Sequence, residues 1–182
     1  MILITGATGN NGREIVSLLS RTGVPCRALV RSNEKAGGLA GLPGVEVAYG
    51  DFANPDSLAP ALDGIDRALL ISSADPKLPE LQGNFVRAAR RAGVPYVVKF
   101  SGAWSMGGAD LREWSFARWH VEAEKILEDS GLAFTHLQPK EFRNGARTSR
   151  SSRTTQPALA IVLLGGRSKR RINHIPSDVR SC

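Results

Sequence analysis

Short apolar runs alternate with amphipathic stretches along this chain. The runs are Ile2–Thr5, Cys26–Val30, Val45–Tyr49, Arg67–Ile71, Tyr96–Phe100 and Ala133–Leu137. Each has strand length and is apolar on both faces, the pattern of strands buried in a parallel sheet. The stretches between them carry helical spacing. Ile15, Val16, Leu18 and Leu19 follow the first run. Leu81, Phe85, Ala88 and Ala92 recur at intervals of four, three and four. Phe116, Trp119, Ala123, Ile126 and Leu127 mark one side of a helix from about Ser115 to Asp129. Three joints, Thr22-Gly23-Val24, Ala92-Gly93-Val94 and Ser130-Gly131-Leu132, each end a helix on glycine and restart apolar. Strands alternating with helices predict right-handed crossovers and an α/β fold with a doubly wound parallel sheet. Its ligand is expected at the carboxyl ends of the strands.

The first strand passes directly into a turn with glycines at Gly6, Gly9 and Gly12, and a helix follows. Strand, glycine turn and helix in that order form an anion site. Gly6 permits the tight turn, Gly9 lets the backbone approach a pyrophosphate, and Gly12 lets the helix pack close to the strand. The free amides of the helix start face the phosphates. An ordinary strand-to-helix connection needs one glycine, not three at this spacing, so the turn predicts a dinucleotide. Thr8, Asn10 and Asn11 supply further donors. Arg31 stands just past the second strand, where proteins that prefer NAD place an acidic residue for the ribose hydroxyls. An arginine there pairs with a 2′-phosphate instead, with Ser32 and Lys35 in reach; the structural alternative is a solvated basic pair. NADP(H) is therefore expected over NAD(H).

The bulk composition changes this picture only at the end of the chain. A length of 182 residues gives one domain with a core of its own. The net charge is +7, yet residues 1–140 carry 15 basic and 15 acidic side chains, whereas residues 141–182 carry 9 basic and 2 acidic. Residues 1–140 read as the dinucleotide-binding domain and 141–182 as a basic, irregular tail. Three readings of that tail are open: disorder, a nucleic-acid-binding segment, or a strand-containing remnant of a substrate region. Disorder ranks first, and a nucleic-acid partner is disfavoured because Phe142 is the tail's one aromatic residue. Two cysteines, Cys26 and Cys182, are too few for a disulfide framework, and Cys26 reads as a small buried residue. No apolar run approaches membrane-spanning length, and no leader precedes the first strand, so a reducing cytoplasm is expected. No Cys, His and carboxylate cluster has metal spacing, and no Gly-x-Ser-x-Gly elbow occurs.

A set of motifs in a fixed order resembles the NmrA-like branch of the atypical short-chain dehydrogenase/reductase superfamily. They are TGATGNNG at Thr5–Gly12, then Ala28-Leu29-Val30-Arg31 with Lys35, then Gly50-Asp51-Phe52 leading to Asn54-Pro55-Asp56-Ser57-Leu58. Val98-Lys99-Phe100-Ser101, Trp119-His120 and Ser130-Gly131-Leu132 leading to Leu137-Gln138-Pro139 complete the set. The resemblance covers about residues 1–144. It implies a Rossmann-like fold that holds NAD(P), with either reduction of quinone-like or other carbonyl substrates or cofactor sensing without turnover. Family members usually run longer, and the match fades at Pro139-Lys140-Glu141-Phe142, so a truncated or frame-shifted form is expected, with a divergent genuine tail as the alternative.

The resemblance also assigns residues. Asp51 and Phe52 sit by the adenine, with the carboxylate accepting from its amino group; the alternative is a helix-start acid and a core phenylalanine. Ser72 and Ser73, ending the fourth strand, face the ribose next to the nicotinamide or serve as polar turn residues. Lys99 lies near the nicotinamide ribose. A charge in a central strand is costly without a partner, although a lysine at a strand end can reach water along its stem. Trp104, Met106, Trp114 and His120 fill the region that shapes the substrate site, and an aromatic lining suits a flat quinone. His120 can relay a proton, but anchoring its helix is the stronger reading. The superfamily's Tyr-x-x-x-Lys pair is missing: Ala53 and Phe100 stand four residues after Tyr49 and Tyr96. Lys99 and His120 are the catalytic candidates in its place. Two functions follow, an NADP(H)-dependent oxidoreductase acting on a quinone or small carbonyl and a non-catalytic NADP(H) sensor. A chain too incomplete to bind cofactor is the third reading.

Overall fold

The computed structural model describes residues 1–102 and 115–138, together with the backbone of Arg170–Ile172. The chain runs β1 (Ile2–Ile4), α1 (Asn10–Arg21), β2 (Cys26–Val30), α2 (Asn33–Ala36), β3 (Val45–Tyr49), α3 (Ala59–Leu62) and β4 (Arg67–Leu70). It continues as α4 (Leu78–Arg91), β5 (Tyr96–Phe100), α5 (Ser115–Glu128), β6 (Ala133–Leu137) and β7 (Arg170–Ile172). The sheet order is β3-β2-β1-β4-β5-β6-β7, with every neighbouring pair parallel. This is the doubly wound order. The direction of winding reverses between β1 and β4, which opens a crevice at their carboxyl ends.

Alternation along each strand divides the apolar residues between two layers. One layer joins Ile4, Ala28, Val30, Leu69, Val98 and Phe100 to Ile15, Val16 and Leu19 of α1. The other joins Leu3, Leu29, Leu70, Val97 and Phe134 to Phe85, Val86 and Ala89 of α4 and Leu127 of α5. Gly23, Gly93 and Gly131, the three predicted caps, all have positive φ, at 71°, 72° and 82°. A side chain there strains the backbone, so glycine turns each helix into its next strand.

Four expectations need correction. Val45–Tyr49 is not buried on both faces; as the edge strand it leaves Glu46 and Tyr49 exposed. Thr5 and Ile71 lie just past their strands and begin the crevice. On α5 the buried stripe is Ala117, His120, Ala123, Glu124 and Leu127, while Phe116, Trp119 and Ile126 are half-buried. Helical periodicity located the helix, but its two polar core positions were invisible to a hydrophobic count. Ala92 is the exposed cap of α4 rather than part of its apolar face. Within the segment expected to be irregular, Arg170–Ile172 forms β7 against β6. Trp104, Met106 and Trp114 lie outside the described residues, as does the remainder of 141–182.

Candidate dinucleotide site and a buried polar cluster

Two glycines make the opening turn geometrically unavoidable. Gly6 has φ +59°, and a Cβ there would sit 2.9 Å from the Ile71 carbonyl oxygen. At Gly12 a Cβ would sit 2.1 Å from the Gly6 carbonyl oxygen and 2.7 Å from Ala7 Cα. The first turn of α1 therefore rests directly on the loop backbone. Buried Thr5 ties this loop to β4: its hydroxyl donates to the Ile71 carbonyl and accepts from the Ile71 amide, both at 2.8 Å. Gly9 is the helix N-cap and brings no side-chain cap, and the first turn holds no acidic residue. The amides of that turn, where exposed Asn10 and Asn11 stand, have no intrahelical acceptor and carry the positive end of the helix dipole. These free donors make a cradle that suits an anion, and a Cβ at Gly12 would push the helix that carries them off the loop.

A cavity of about 220 Å³ opens beside the cradle. Gly6, Thr8, Arg31, Lys35, Asp51, Phe52, Ser72 and Ser73 line it, with Arg31 and Lys35 at its exposed side. Eight of the proposed cofactor residues thus meet at one cavity. Leu29, Gly50, Asp75 and Leu81 also line it. Sequence reasoning assigned them no site role; the folding of β2, α4 and the loops after β3 and β4 brings them there. Asp51 is fixed by local bonds: Oδ1 accepts from the Ala53 amide at 2.9 Å, and its own amide donates to Ser57 Oγ at 2.9 Å. Phe52 packs on Phe85 with ring centroids 5.1 Å apart, and its carbonyl accepts from Asn84 Nδ2. Each residue is anchored in the fold and lines the cavity, an arrangement compatible with either reading of the pair. Across the crevice, Gln82 Nε2 donates to Ser72 Oγ at 2.8 Å, while buried Gln82 Oε1 has no partner among the described residues. A larger groove of about 330 Å³ runs along Arg118, Val121 and Lys125 of α5, but it holds none of the candidate groups.

Lys99 does not reach water along its stem: it is fully buried. Its Nζ lies 3.0 Å from His120 Nδ1, and Ser101 Oγ lies 3.4 Å from the same atom. His120 of α5 therefore makes a polar contact with the other catalytic candidate. Glu124, one helical turn further along α5, accepts from Gln138 Nε2 at 2.7 Å. On β6, buried His136 pairs laterally with Lys99 and has Nε2 3.2 Å from Glu128 Oε1; its Nδ1 has no partner among the described residues. Burial pushes Lys99 down to about 7, opposed by the Glu124 carboxylate. Burial and the neighbouring Lys99 charge push His120 down to about 3. Burial likewise lowers His136, against the pull of Glu124. The pairing of Leu70 with Lys99 carries forward to Ser72 beside Ser101. The cavity wall and this cluster thus follow the carboxyl ends of two adjacent strands, β4 and β5. Neither tyrosine takes the place of the missing acid. Tyr49 is exposed and donates to Asn33, and Tyr96 is buried against Thr135 at the start of β5.

Cys26 is buried, and burial pushes its thiol up to about 11. Among the described residues no helix is long and apolar enough to cross a membrane, and no group of three His, Cys, Asp or Glu side chains has a metal-binding arrangement.

A family model described as NAD(P)H-binding matches residues 6–161. An NAD(P)H azoreductase of Xenophilus azovorans is 35% identical over 142 residues, covering 78% of this chain and 48% of that protein. Quinone oxidoreductase 2 of Escherichia coli is 38% identical over 143 residues, covering 76% and 48%. The chain spans about half the length of these curated relatives. Among solved structures, Citrobacter triphenylmethane reductase complexed with NADP(H) superposes with a TM-score of 0.79 at 28% identity, over 95% of this chain and 69% of that one.

Proposed function

Because the chain belongs to the NAD(P)H-binding family, we propose that it binds NADP(H) and passes a hydride to a quinone or other small carbonyl compound. We place it in the NmrA-like branch of the short-chain superfamily, with residues 1–140 as the dinucleotide unit and 141–182 as a basic extension. The observation that carries this reading is the shared cavity. The uncapped start of α1 lies beside it, and Arg31 and Lys35 stand on its rim with no acidic residue at the ribose position.

In this reading Gly6, Thr8 and Gly9 hold the pyrophosphate with the α1 amides, and Gly12 sets how closely those amides approach; Asn10 and Asn11 add donors. Arg31 and Lys35 take the 2′-phosphate. Asp51 and Phe52 bound the adenine, and Ser72 and Ser73 face the second ribose. The bound cofactor supplies the hydride. Lys99 and His120 supply the proton that the Tyr-x-x-x-Lys pair supplies elsewhere in the superfamily. The quinone and azo chemistry in the relatives' names supports an electrophile of this class.

The test is a titration with NADPH and NADH followed by tryptophan fluorescence, then NADPH oxidation with a panel of quinones and azo dyes. NADPH binding tighter than NADH, with turnover on at least one acceptor, is expected. Tight binding without turnover would favour a redox sensor, a reading that the absent Tyr-x-x-x-Lys pair also supports. No binding of either nucleotide would overturn both.

A further inference from the structure

Glu124 and Gln138 are among the buried-cluster groups that the proposed reaction leaves unused. We propose that Glu124, held by Gln138, is a positioning residue that keeps Lys99 as the donor to His120 Nδ1, so that His120 is a neutral imidazole presenting its Nε2 proton to the hydride acceptor. This rests on the oxidoreductase reading above and deepens it.

An ammonium has only donors, so a charged Lys99 at 3.0 Å from Nδ1 requires that nitrogen to accept. A neutral imidazole accepting at Nδ1 carries its proton on Nε2. The ring remains neutral because it is buried beside a cation. Lys99 is fully buried in a central strand, where a lone ammonium would shed its proton, and Glu124 is the carboxylate that opposes this. Gln138 donates to Glu124 Oε1 and so orients it. His120 and Glu124 stand four residues apart on the buried side of α5, which places them on successive turns of one stripe, and His120 of that stripe contacts Lys99. The other titratable group set against Lys99 is His136 on β6, which burial keeps toward its neutral form and which is paired with Glu128.

The relay balances. Hydride adds to the carbonyl carbon and the C=O π pair moves onto oxygen. That oxygen takes the proton from His120 Nε2, and the N–H bonding pair stays on the ring. Nδ1 takes a proton from Lys99 Nζ, leaving a neutral amine. A solvent proton at Nε2 and return of the Nδ1 proton across the same contact restore the starting state. A Lys99 that titrates near neutrality suits this exchange.

The test uses the full chain, labelled with ¹⁵N-histidine and ¹³Cε-lysine, with resonances assigned by single substitutions. His120 is expected to show a protonated Nε2 and a bare Nδ1 throughout the neutral range, and Lys99 to titrate near 7. In Glu124→Gln, which preserves shape and the Gln138 contact, the Lys99 midpoint should fall by about one pH unit. A His120 proton on Nδ1, a Lys99 midpoint near that of a free lysine, or an unmoved midpoint in E124Q would each overturn the proposal. The first two are measured on the parent protein, so a misfolded variant does not shield it. In turnover, E124Q should move the alkaline limb of the kcat profile to lower pH with the KM for NADPH unchanged; an unmoved limb would overturn it. If the parent oxidises no NADPH, the oxidoreductase reading falls, while the resonances still decide the positions of these protons.

Discussion

Gly12→Ala puts the cradle to its most direct test. In an exposed helix, glycine to alanine stabilises by about 0.5–1 kcal/mol. Here the new methyl carbon would lie 2.1 Å from the Gly6 carbonyl oxygen and 2.7 Å from Ala7 Cα. Both obstacles are backbone, so no side chain can swing away, and α1 must retreat from the loop by about 1 Å to regain van der Waals distance. A backbone contact this short puts the overpacking cost at the upper end of its range, about 3 kcal/mol, which outweighs the helical gain and leaves a net loss of about 2 kcal/mol. For a chain of this size that is a fall in Tm of about 4–8 °C. The same retreat withdraws the α1 amides from the phosphates. Losing one charge-assisted hydrogen bond, at about 1.5–3 kcal/mol, weakens NADPH roughly 10- to 100-fold. The assay pairs urea unfolding with NADPH titration by tryptophan fluorescence. Gly41→Ala is the control, since a Cβ there meets nothing within 4 Å and its φ is not positive. The reasoning is refuted if G12A unfolds like the control, or if it binds NADPH as the parent does.

Arg31→Ala should weaken NADPH by roughly 10- to 100-fold and leave NADH unchanged, because the guanidinium is assigned to the 2′-phosphate alone; equal losses in parallel titrations would contradict the assignment. Thr5→Val keeps the shape but leaves both polar groups of Ile71 without their hydroxyl partner, and should cost about 1–3 kcal/mol in urea unfolding; a neutral outcome would remove Thr5 as the tie between turn and β4. Stability should also depend on pH through Lys99. Its pKa falls from 10.5 unfolded to about 7 folded. Above pH 7 the unfolded chain therefore holds more protons, and stability rises with pH by up to about 1.4 kcal/mol per unit. The rise should flatten above pH 9, where the unfolded Cys26 thiol ionises while the folded one, held at about 11, does not. Urea unfolding at pH 7 and pH 9 measures this, and Lys99→Met should abolish the rise. His120, at about 3 folded against 6.5 unfolded, predicts stability lost as pH falls through that window, and His120→Gln should flatten the loss.

What was legible in the sequence is whatever depends on neighbours along the chain. Six strands could be located because consecutive apolar residues between glycine-capped helices have few other uses in a parallel sheet. The cradle was legible because three glycines at this spacing satisfy a backbone constraint, and Gly6 and Gly12 meet it within a few ångströms of their own loop. Arg31, Asp51 and Ser72 were legible as positions at strand ends, which the doubly wound order gathers at one cavity. Sequence reasoning failed where a residue's role depends on a partner far along the chain. The exposure of Tyr49 follows from the edge position of β3, which pairing decides rather than composition. Glu124 and Gln138 carry no local signal, because a glutamate on an amphipathic helix ordinarily faces water. Only folding brings α5 over β5 and β6, removes water from Lys99, and makes a buried charge require the carboxylate and imidazole that face it. The glycine turn belongs to local backbone sterics, whereas the ionisation state of the groups in the buried cluster is set by desolvation, which tertiary packing alone creates.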